Sequence, residues 1–474
     1  MNTDAVLGYF KEITKIPRES SHEAPMTEYL QQFARSRKLE CKTDKCGNVL
    51  ITKEASKGKE NVPTIVLQGH QDMVCDKIAG STHDFRKDPI EYEIKDGWMI
   101  AQKTTLGADD GIGIAAVLAL LDSKKSMGKI EALFTISEEV GMNGAHALEP
   151  DFFDGKTLIN LDSEDEGQLF VGCAGGVDTM IDFHYDRITL KQGYKTVRLR
   201  ISKALGGHSG DDIEKGRMNT LQELARFLYS ELANDFQLIL IKGGTKPNAI
   251  AREAEAIIAI SEPDTLINRF ACFGKRVKSE FAISDPNVVF EAASFNCTEK
   301  PIDEDVKFRL VASLFAALHG VHAMSREIPG LVETSTNLAA VRMKENGLIR
   351  VVTSQRSSVD SEVNAIAAKV EATFLLAGGN VTHSSDYPGW KPNLDSHILK
   401  VCVETYKRLF HTDPEVKAIH AGLECGLFLT KFPDLDMISF GPTLRGVHAP
   451  GERLEIASLG KFVDLLNDVV QNFK

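Results

Sequence analysis

Acidic residues and a histidine follow short apolar runs that are typical of buried strands. His70 and Asp72 come after the run 62–69, Glu138 and Glu139 follow the run 131–137, and Asp162 ends the run 157–162. Ligands of open α/β sheets bind beyond the carboxyl ends of the strands, so we expect these side chains at one sheet edge. Each motif alone also fits a surface histidine beside a turn or a solvated loop. Neither alternative explains why acids recur at the end of strand after strand.

Two further segments add side chains that can bind metal. Asp109 and Asp110 precede a glycine-rich helix start at 105–115. One aspartate is a common N-cap, and two adjacent acids exceed what a cap requires. His448 lies in an irregular loop, 441–452, after the last apolar run.

The candidate ligands together mix imidazole nitrogen with carboxylate oxygen. Such a set suits zinc, manganese or cobalt better than a thiolate site would. A bridging carboxylate with four other ligands fits the metal pair of two-metal hydrolases. The candidates are His70, Asp109, Glu139, Asp162 and His448.

Two acids beside these ligands suit supporting roles. Asp72 lies two residues after His70, on the same side of an extended chain, where it can orient the imidazole ring. Glu138 and Glu139 point in different directions from extended chain. One can therefore bind metal while the other acts as general base toward a bound water.

The apolar runs also predict the fold. Continuous runs in the first third, with a helix over 111–125 between them, indicate a parallel sheet with connecting helices. The segments 435–442 and 454–473 again have the pattern of a buried strand and a helix. The middle of the chain alternates like half-exposed strands and contains a helix-like stretch at 211–232. We therefore expect a doubly wound α/β catalytic domain, split into 1–187 and 391–474. An inserted α+β lid domain is expected at 188–390, long enough for two α+β halves.

Composition excludes several functional classes. The 474 residues carry a net charge of −12, which argues against a nucleic-acid partner. The longest apolar stretch, 111–121, is far shorter than the ~18–20 residues of a membrane span. The first residues contain no uninterrupted hydrophobic core, so we expect no signal peptide and a cytoplasmic location.

The motifs in their order resemble a known family. HQD, GADDG, SEEVGMNGA, NLDSED and GVHAPGE are similar to segments of the di-zinc metallopeptidases that include peptidase T, peptidase V, carnosinases and acetylornithine deacetylase. IPRESSHE near the N-terminus extends the resemblance along the chain. The segments 332–341, 354–358 and 420–426 resemble the peptidase D branch, the aminoacyl-histidine dipeptidases.

This resemblance implies an activity and a cofactor. The expected reaction is hydrolysis of unblocked dipeptides, with Xaa-His dipeptides including β-Ala-His as substrates. The expected cofactor is two zinc ions, with manganese or cobalt as alternatives. The expected partner is a small peptide substrate, and a homodimer is left open.

The resemblance also assigns roles by position. His70 and Asp162 match the ligands of one zinc ion, Glu139 and His448 those of the other, and Asp109 the bridge. Asp72 matches the residue that clamps the ligand histidine, and Glu138 matches the general base. A non-proline cis peptide bond is implied between Asp109 and Asp110.

The inserted domain and the segment after it supply the remaining candidates. The segment 206–219 resembles the lid segment of the family, which implies that His208 donates to the oxyanion. Asn219 and Asn337 are candidates for substrate carbonyl or carboxylate groups, Arg356 for the C-terminal carboxylate, and Glu424 for the α-amino group. The alternatives are a turn residue for His208, a surface ion pair for Arg356 and a structural acid for Glu424. The remaining histidines, His420 among them, are expected to be structural.

Other activities on the same scaffold stay open. A tripeptidase, a carboxypeptidase or an N-acyl amino acid deacylase would use the same metal chemistry, because the lid pocket selects the substrate. A non-catalytic homologue is disfavoured, since the base and all five ligands are present.

Overall fold

The computed structural model describes residues 1–384, 386–420 and 422–474. Ser385, in a Pro/Gly-punctuated stretch, and Ala421, in the segment 420–426, lie outside the described residues. The helices are α1 (Thr3–Ile13), α2 (Ala24–Arg37), α3 (Ala108–Leu121), α4 (Asn143–Ala147), α5 (Thr220–Ser230), α6 (Pro263–Glu280), α7 (Glu304–Ala316), α8 (Asp360–Leu376), α9 (His397–Phe410), α10 (Glu424–Lys431) and α11 (Ile456–Asn472).

The strands lie between these helices, singly or in runs of up to five. They are β1 (Glu40–Thr43), β2 (Val49–Lys53), β3 (Ile65–His70), β4 (Tyr92–Lys95), β5 (Trp98–Ala101), β6 (Ile130–Thr135), β7 (Thr157–Asn160), β8 (Gln168–Cys173), β9 (Gly175–His184), β10 (Lys195–Ser202), β11 (Gly207–His208), β12 (Gln237–Gly243), β13 (Ala249–Ile250), β14 (Ala254–Ile260), β15 (Val289–Ser294), β16 (Gly320–Met324), β17 (Val332–Lys344), β18 (Leu348–Ser357), β19 (Asn380–His383), β20 (Glu415–Ile419), β21 (Asp436–Ser439), β22 (Leu444–Arg445) and β23 (Arg453–Glu455).

The chain folds into two compact units. Unit 1 contains Met1–Gly172, Trp390–Ala418 and Leu423–Lys474, and unit 2 contains Cys173–Gly389 and Ile419–Gly422. The first change of unit comes at 172/173 because β9 pairs with β18 in the sheet of unit 2. The sequence analysis places this boundary at 187/188, and its division into domains stays a prediction.

Unit 1 is built on a mixed sheet with the strand order β1-β2-β6-β3-β7-β21-β8-β20. The strands β6, β3, β7 and β21 are parallel, which confirms the predicted α/β arrangement. The pairings β1–β2, β2–β6 and β21–β8 are antiparallel, and the sequence pattern did not indicate them.

The apolar character of these elements explains their position. Every residue of β3, β6 and β7 is buried, because strands with helices on both faces have no solvated side. Helix α3 is buried along its whole length, as expected of a helix that is apolar all round. The parallel strands therefore form a packed core. The loops that follow them extend from this core and present the predicted ligands.

Unit 2 contains an antiparallel sheet with the order β15-β10-β14-β12-β17-β18-β9-β19, and β16 pairs with β17. The pairing of Gly243 with Val341 joins β12 to β17, so a group of four strands and a group of five share one sheet. Helices α5, α6, α7 and α8 pack their apolar residues with those of the sheet. The predicted helix over 211–232 is shorter in the structure. A 3₁₀ turn, Ile213–Lys215, precedes α5, which begins only after its N-cap Asn219.

Among the described residues, no helix combines the length and the apolar character needed to cross a bilayer.

Candidate active site

Five predicted ligands of unit 1 meet at the carboxyl ends of the parallel strands. His70, the last residue of β3, places its Nε2 2.9 Å from Asp109 Oδ1 and 3.5 Å from Asp162 Oδ1. His448 places its Nε2 3.0 Å from Asp109 Oδ2 and 2.9 Å from Glu139 Oε2. The two oxygens of Asp109 therefore face two different histidines.

Two clusters of ligand atoms share Asp109. One consists of His70, Asp109 and Asp162, and the other of Asp109, Glu139 and His448; within each, the ligand atoms lie within 4.8 Å of one another. Asp109 enters α3 with non-helical dihedral angles, and its peptide bond to Asp110 is cis.

The electrostatics show a surplus of negative charge. Burial, followed by the charge of Asp109, raises the pKa of Asp162 to about 7. Burial, followed by the negative charge of Asp109, also raises the pKa of Glu139. Burial disfavours the charged form of His448, but its hydrogen bonds to Asp109 and Glu139 outweigh this and raise its pKa to about 11. Bound protons or cations would therefore stabilise the clustered carboxylates, because positive charge offsets their mutual repulsion.

Asp72 connects the histidine to the acidic loop. Its Oδ1 lies 3.4 Å from His70 Nδ1 and accepts a 3.0 Å hydrogen bond from the backbone N–H of Glu138. Its Oδ2 accepts from the N–H of Glu139 at 3.2 Å and from Ser20 Oγ at 2.8 Å. Asp72 therefore holds the backbone that presents Glu138 and Glu139 and lies beside the imidazole ring of His70, whose Nδ1 forms no hydrogen bond within the described part of the chain.

Glu138 lies at the same edge. Burial raises its pKa well above the ordinary glutamate range, and the neighbouring carboxylates of Asp162, Glu139 and Glu424 act in the same direction. A carboxylate with a raised pKa is a stronger base, which suits proton transfer near neutral pH.

Glu424 is buried behind this edge in unit 1. It opens α10 and is 1% exposed. Its Oε2 accepts hydrogen bonds from Gln68 Nε2 at 2.6 Å and Thr135 Oγ1 at 2.7 Å. Its Oε1 is buried without a hydrogen-bond partner among the described residues, and burial raises its pKa to about 7.

In unit 2, His208 lies in the short strand β11 and pairs with Ala249 of β13. Its Nδ1 accepts long hydrogen bonds from the N–H groups of Gly210 and Asp211, at 3.3 and 3.4 Å. Its own N–H donates to Asp212 Oδ2 at 2.8 Å. Nδ1 also lies 3.3 Å from Asp211 Oδ2, a carboxylate to which it can donate, so its contacts fit either ring tautomer.

The two predicted asparagines of unit 2 are engaged in local structure. Asn219 Oδ1 accepts from the N–H groups of Leu221 and Gln222, so it caps α5, and its Nδ2 donates to Leu338 O at 2.8 Å. Asn337 donates from Nδ2 to the carbonyls of Pro247 and Ala249, at 2.9 Å each. Asn337 Oδ1 has no partner among the described residues.

Arg356 lies on β18 opposite Ser335 of β17. It is 7% exposed, and its Nε has no partner within the described part of the chain. Ser335 Oγ lies 2.7 Å from His420 Nε2. Burial, followed by the charge of Arg356, lowers the pKa of His420 to about 3.

Comparison with known proteins identifies the family. Residues 66–472 match the model of Peptidase family M20/M25/M40. The chain belongs to this peptidase family.

Individual relatives extend the match over nearly the whole chain. The cytosol non-specific dipeptidase of Escherichia coli K12 is 38% identical over 466 residues, which cover 98% of this chain and 96% of the relative. The structure of an aminoacylhistidine dipeptidase from Vibrio alginolyticus is similar with a TM-score of 0.88 and 36% identity, covering 99% of this chain and 96% of that one. An aminopeptidase PepT from Bacillus cereus shares the fold, with a TM-score of 0.61, 17% identity, and coverage of 99% and 98%.

These matches confirm the resemblance to the metallopeptidase family and to its dipeptidase branch. The M20 chain is accordingly a metal-dependent hydrolase of peptide bonds. Its donor set fits a divalent metal centre, because carboxylate oxygens and imidazole nitrogens converge on two points and their mutual repulsion favours a cation. His70, Asp162 and Asp109 would hold one ion, and Asp109, Glu139 and His448 the other.

Two residues beside the ligand loops of unit 1, and one residue of unit 2, were not singled out in the sequence analysis. Arg18 and Glu452 are both 2% exposed and bond to the backbone of the loops that carry ligands. In unit 2, His420, which was expected to be structural, contacts Ser335 Oγ through its Nε2, and the charge of Arg356 helps to lower its pKa. Arg18 lies in the motif IPRESSHE, and Glu452 lies in the motif GVHAPGE. The sequence analysis therefore identified both segments but not the importance of these two side chains.

Proposed function

We propose that this M20 hydrolase cleaves unblocked dipeptides, with Xaa-His dipeptides such as β-Ala-His as substrates, and that it uses two zinc ions. The observation that carries the two-metal proposal is that the two ligand clusters share Asp109. The dipeptide proposal is supported by the nearly full-length likeness to two proteins named dipeptidases. Manganese or cobalt fits the same donors.

The mechanism assigns the proton transfers to Glu138. When bound, two divalent ions would lower the pKa of a water molecule into the neutral range and polarise the scissile carbonyl. Glu138 takes a proton from this water and delivers it to the leaving amine. Asp72 holds the backbone of Glu138 and orients His70, so that base and ligand keep a fixed relation.

The roles of the remaining residues follow from the resemblance. His208 donates from Nε2 to the oxygen that becomes negative, and Arg356 pairs with the C-terminal carboxylate. Asn337 offers Oδ1 as an acceptor for substrate, and Glu424 offers Oε1 to the α-amino group. Asn219 stays a candidate for contact with substrate, and its side chain also caps α5 and donates to Leu338 O.

Replacement of Glu138 tests the assignment of the base. Glu138→Gln keeps the shape and removes the basic oxygen, so we expect kcat to fall by about 10²- to 10⁴-fold while two metal ions remain bound. Glu131→Gln is the matched control, because Glu131 is a buried carboxylate of β6 that accepts from the N–H groups of Asp154 and Gly155. Near-normal kcat for Glu138→Gln would refute the role of Glu138.

A substrate panel separates this function from its rivals. Hydrolysis of β-Ala-His, Gly-His, Leu-Gly, Leu-Gly-Gly and an N-acetyl amino acid is measured with chelator and with added zinc. We expect chelator-sensitive cleavage of the histidine dipeptides. Cleavage of the tripeptide alone would indicate a tripeptidase, and cleavage of the acetyl substrate alone a deacylase. An N-blocked dipeptide added to the panel detects a carboxypeptidase.

We further propose a cytoplasmic location, which is supported by the likeness to the cytosol non-specific dipeptidase of E. coli. Cell fractionation with an antibody to the chain tests it, and recovery in the extracellular fraction would refute it. Light scattering during size-exclusion chromatography distinguishes a monomer from a homodimer.

A further inference from the structure

The loop that carries Asp109 is held on one side by a buried carboxylate. Glu452 accepts hydrogen bonds from the N–H groups of Leu106, Gly107 and Ala108, at 2.8, 3.0 and 2.8 Å. The N–H of Asp109 adds a fourth contact at 3.4 Å. Glu452 lies in the same loop as His448, four residues later, so it ties the loop of one ligand to the loop of another.

A buried guanidinium holds the same loop on its other side. Arg18 donates from Nη1 to the carbonyls of Gln71 and Asp72, at 3.1 and 2.6 Å, and from Nη2 to the carbonyl of Gly107. The first two carbonyls directly follow His70. Arg18 therefore ties the segment after His70 to the loop of Asp109, as Glu452 does for His448.

Two glycines make room for this guanidinium. A Cβ at Gly107 would lie 2.5 Å from Arg18 Nη2, and a Cβ at Gly111 would lie 2.6 Å from the same atom. Gly107 also has a φ of +68°, which favours glycine. The glycines that flank Asp109 are therefore needed for the close approach of Arg18.

We propose that Arg18 and Glu452 are positioning residues that set the two halves of the metal centre separately. Arg18 fixes the Asp109 carboxylate relative to His70, and Glu452 fixes it relative to His448. This proposal rests on the two-metal function proposed above. It predicts that a change at Arg18 weakens binding chiefly at the cluster of His70 and Asp162. A change at Glu452 weakens binding chiefly at the cluster of Glu139 and His448.

Stepwise metal binding tests this division. Cobalt(II) is titrated into metal-free protein in competition with a chromophoric chelator, and the cobalt absorption bands report each site. Asp162→Asn and His448→Gln identify which step belongs to which cluster. We expect Glu452→Gln to weaken the His448 step at least tenfold and the Asp162 step less than threefold. Arg18→Lys should produce the reverse pattern.

Two controls separate positioning from a general loss of stability. Glu131→Gln removes a buried carboxylate that accepts from backbone N–H groups elsewhere in unit 1. Lys53→Met removes a cation that donates to the carbonyls of Leu120, Leu121 and Ser123. Both should leave the two cobalt constants within threefold of the wild type. Glu452→Asp, which keeps the charge, replaces Glu452→Gln if that variant does not fold, and Gly111→Ala similarly replaces Arg18→Lys.

The outcomes distinguish this proposal from the proposed function. If the wild type binds only one cobalt ion, the two-metal function fails. If the wild type binds two ions but the folded variants at Arg18 and Glu452 bind both as tightly as the controls, the positioning role is refuted. Equal weakening of both steps in both variants would also refute the separate roles.

Discussion

Replacement of Asp72 by asparagine changes one of the two carboxylate oxygens through which this side chain contacts four groups. Asp72 accepts hydrogen bonds from Ser20 and from the N–H groups of Glu138 and Glu139, and it lies 3.4 Å from His70 Nδ1. Asp72→Asn keeps the shape of the side chain but leaves only one accepting oxygen. The new amide is best placed with its oxygen toward Glu138 and His70, because the hydroxyl of Ser20 can accept from the new NH₂ group.

The free-energy cost of Asp72→Asn comes from the backbone N–H group that this orientation leaves without an acceptor. The N–H of Glu139 loses its acceptor, which costs about 1–3 kcal/mol for a buried donor. The bonds that remain lose the assistance of a full charge and weaken further. A loss of about 2–3 kcal/mol in the placement of ligands corresponds to roughly 30- to 150-fold weaker metal binding.

A graded series of variants makes this reasoning testable by chelator competition. Ser20→Ala removes one donor at a half-exposed position where water can replace it, so its effect should stay below about 1 kcal/mol, or roughly fivefold. Asp72→Ala removes every acceptor and should exceed Asp72→Asn. Metal affinity of Asp72→Asn equal to that of Ser20→Ala would refute the role of Asp72 in holding the Glu138–Glu139 backbone.

Three further predictions concern pH and packing. Burial raises the pKa of Glu424 from 4.5 to about 7, so the folded state binds this proton more tightly than the unfolded chain, and stability falls as the pH rises through that range. Glu424→Gln should remove this part of the slope in urea unfolding, and an unchanged slope would contradict the assignment. Burial lowers the pKa of His319 from 6.5 to about 4, so stability is lost as the pH falls from 6.5 toward 4. His319→Gln should flatten that acid limb in the same experiment, whereas a steeper limb would count against it. A Cβ at Gly113 would collide with the Asp110 carboxylate, so Gly113→Ala should lower Tm. At Gly8 of α1 a Cβ would meet no described atom within 4 Å, so Gly8→Ala should stabilise the protein by about 0.5–1 kcal/mol. Calorimetry compares the two alanine variants, and similar Tm values would show that Gly113 is not constrained.

Much of unit 1 could be predicted from local patterns. The continuous apolar runs that became β3, β6 and β7 indicated buried parallel strands, because such strands have no polar face. Polar side chains at the ends of these runs had to meet, since parallel strands end at one edge of the sheet. Strand periodicity and strand ends are properties of neighbouring residues, and a sequence displays them directly.

The state of individual polar side chains was decided by tertiary structure. Asn219 was proposed for substrate, yet its oxygen caps α5 and its amide donates to Leu338, which is 119 residues away in sequence. Glu424 was proposed for the α-amino group, and its position behind the sheet edge, bonded to Gln68 and Thr135, could not be seen in HAGLECG. Both residue types are mostly exposed in proteins, so their burial here depends on which strands pair around them.

Residue type and order were enough to predict the candidate donors, the family and the α/β core of unit 1. Tertiary structure decided which charges hold the site together. Glu452 bonds to the N–H of Leu106 across 346 residues, and Arg18 bonds to the carbonyl of Gly107 across 89. Such contacts have no local signature, since a buried charge and a solvated one look alike in a sequence. Only the folding of distant loops onto one sheet edge makes the difference.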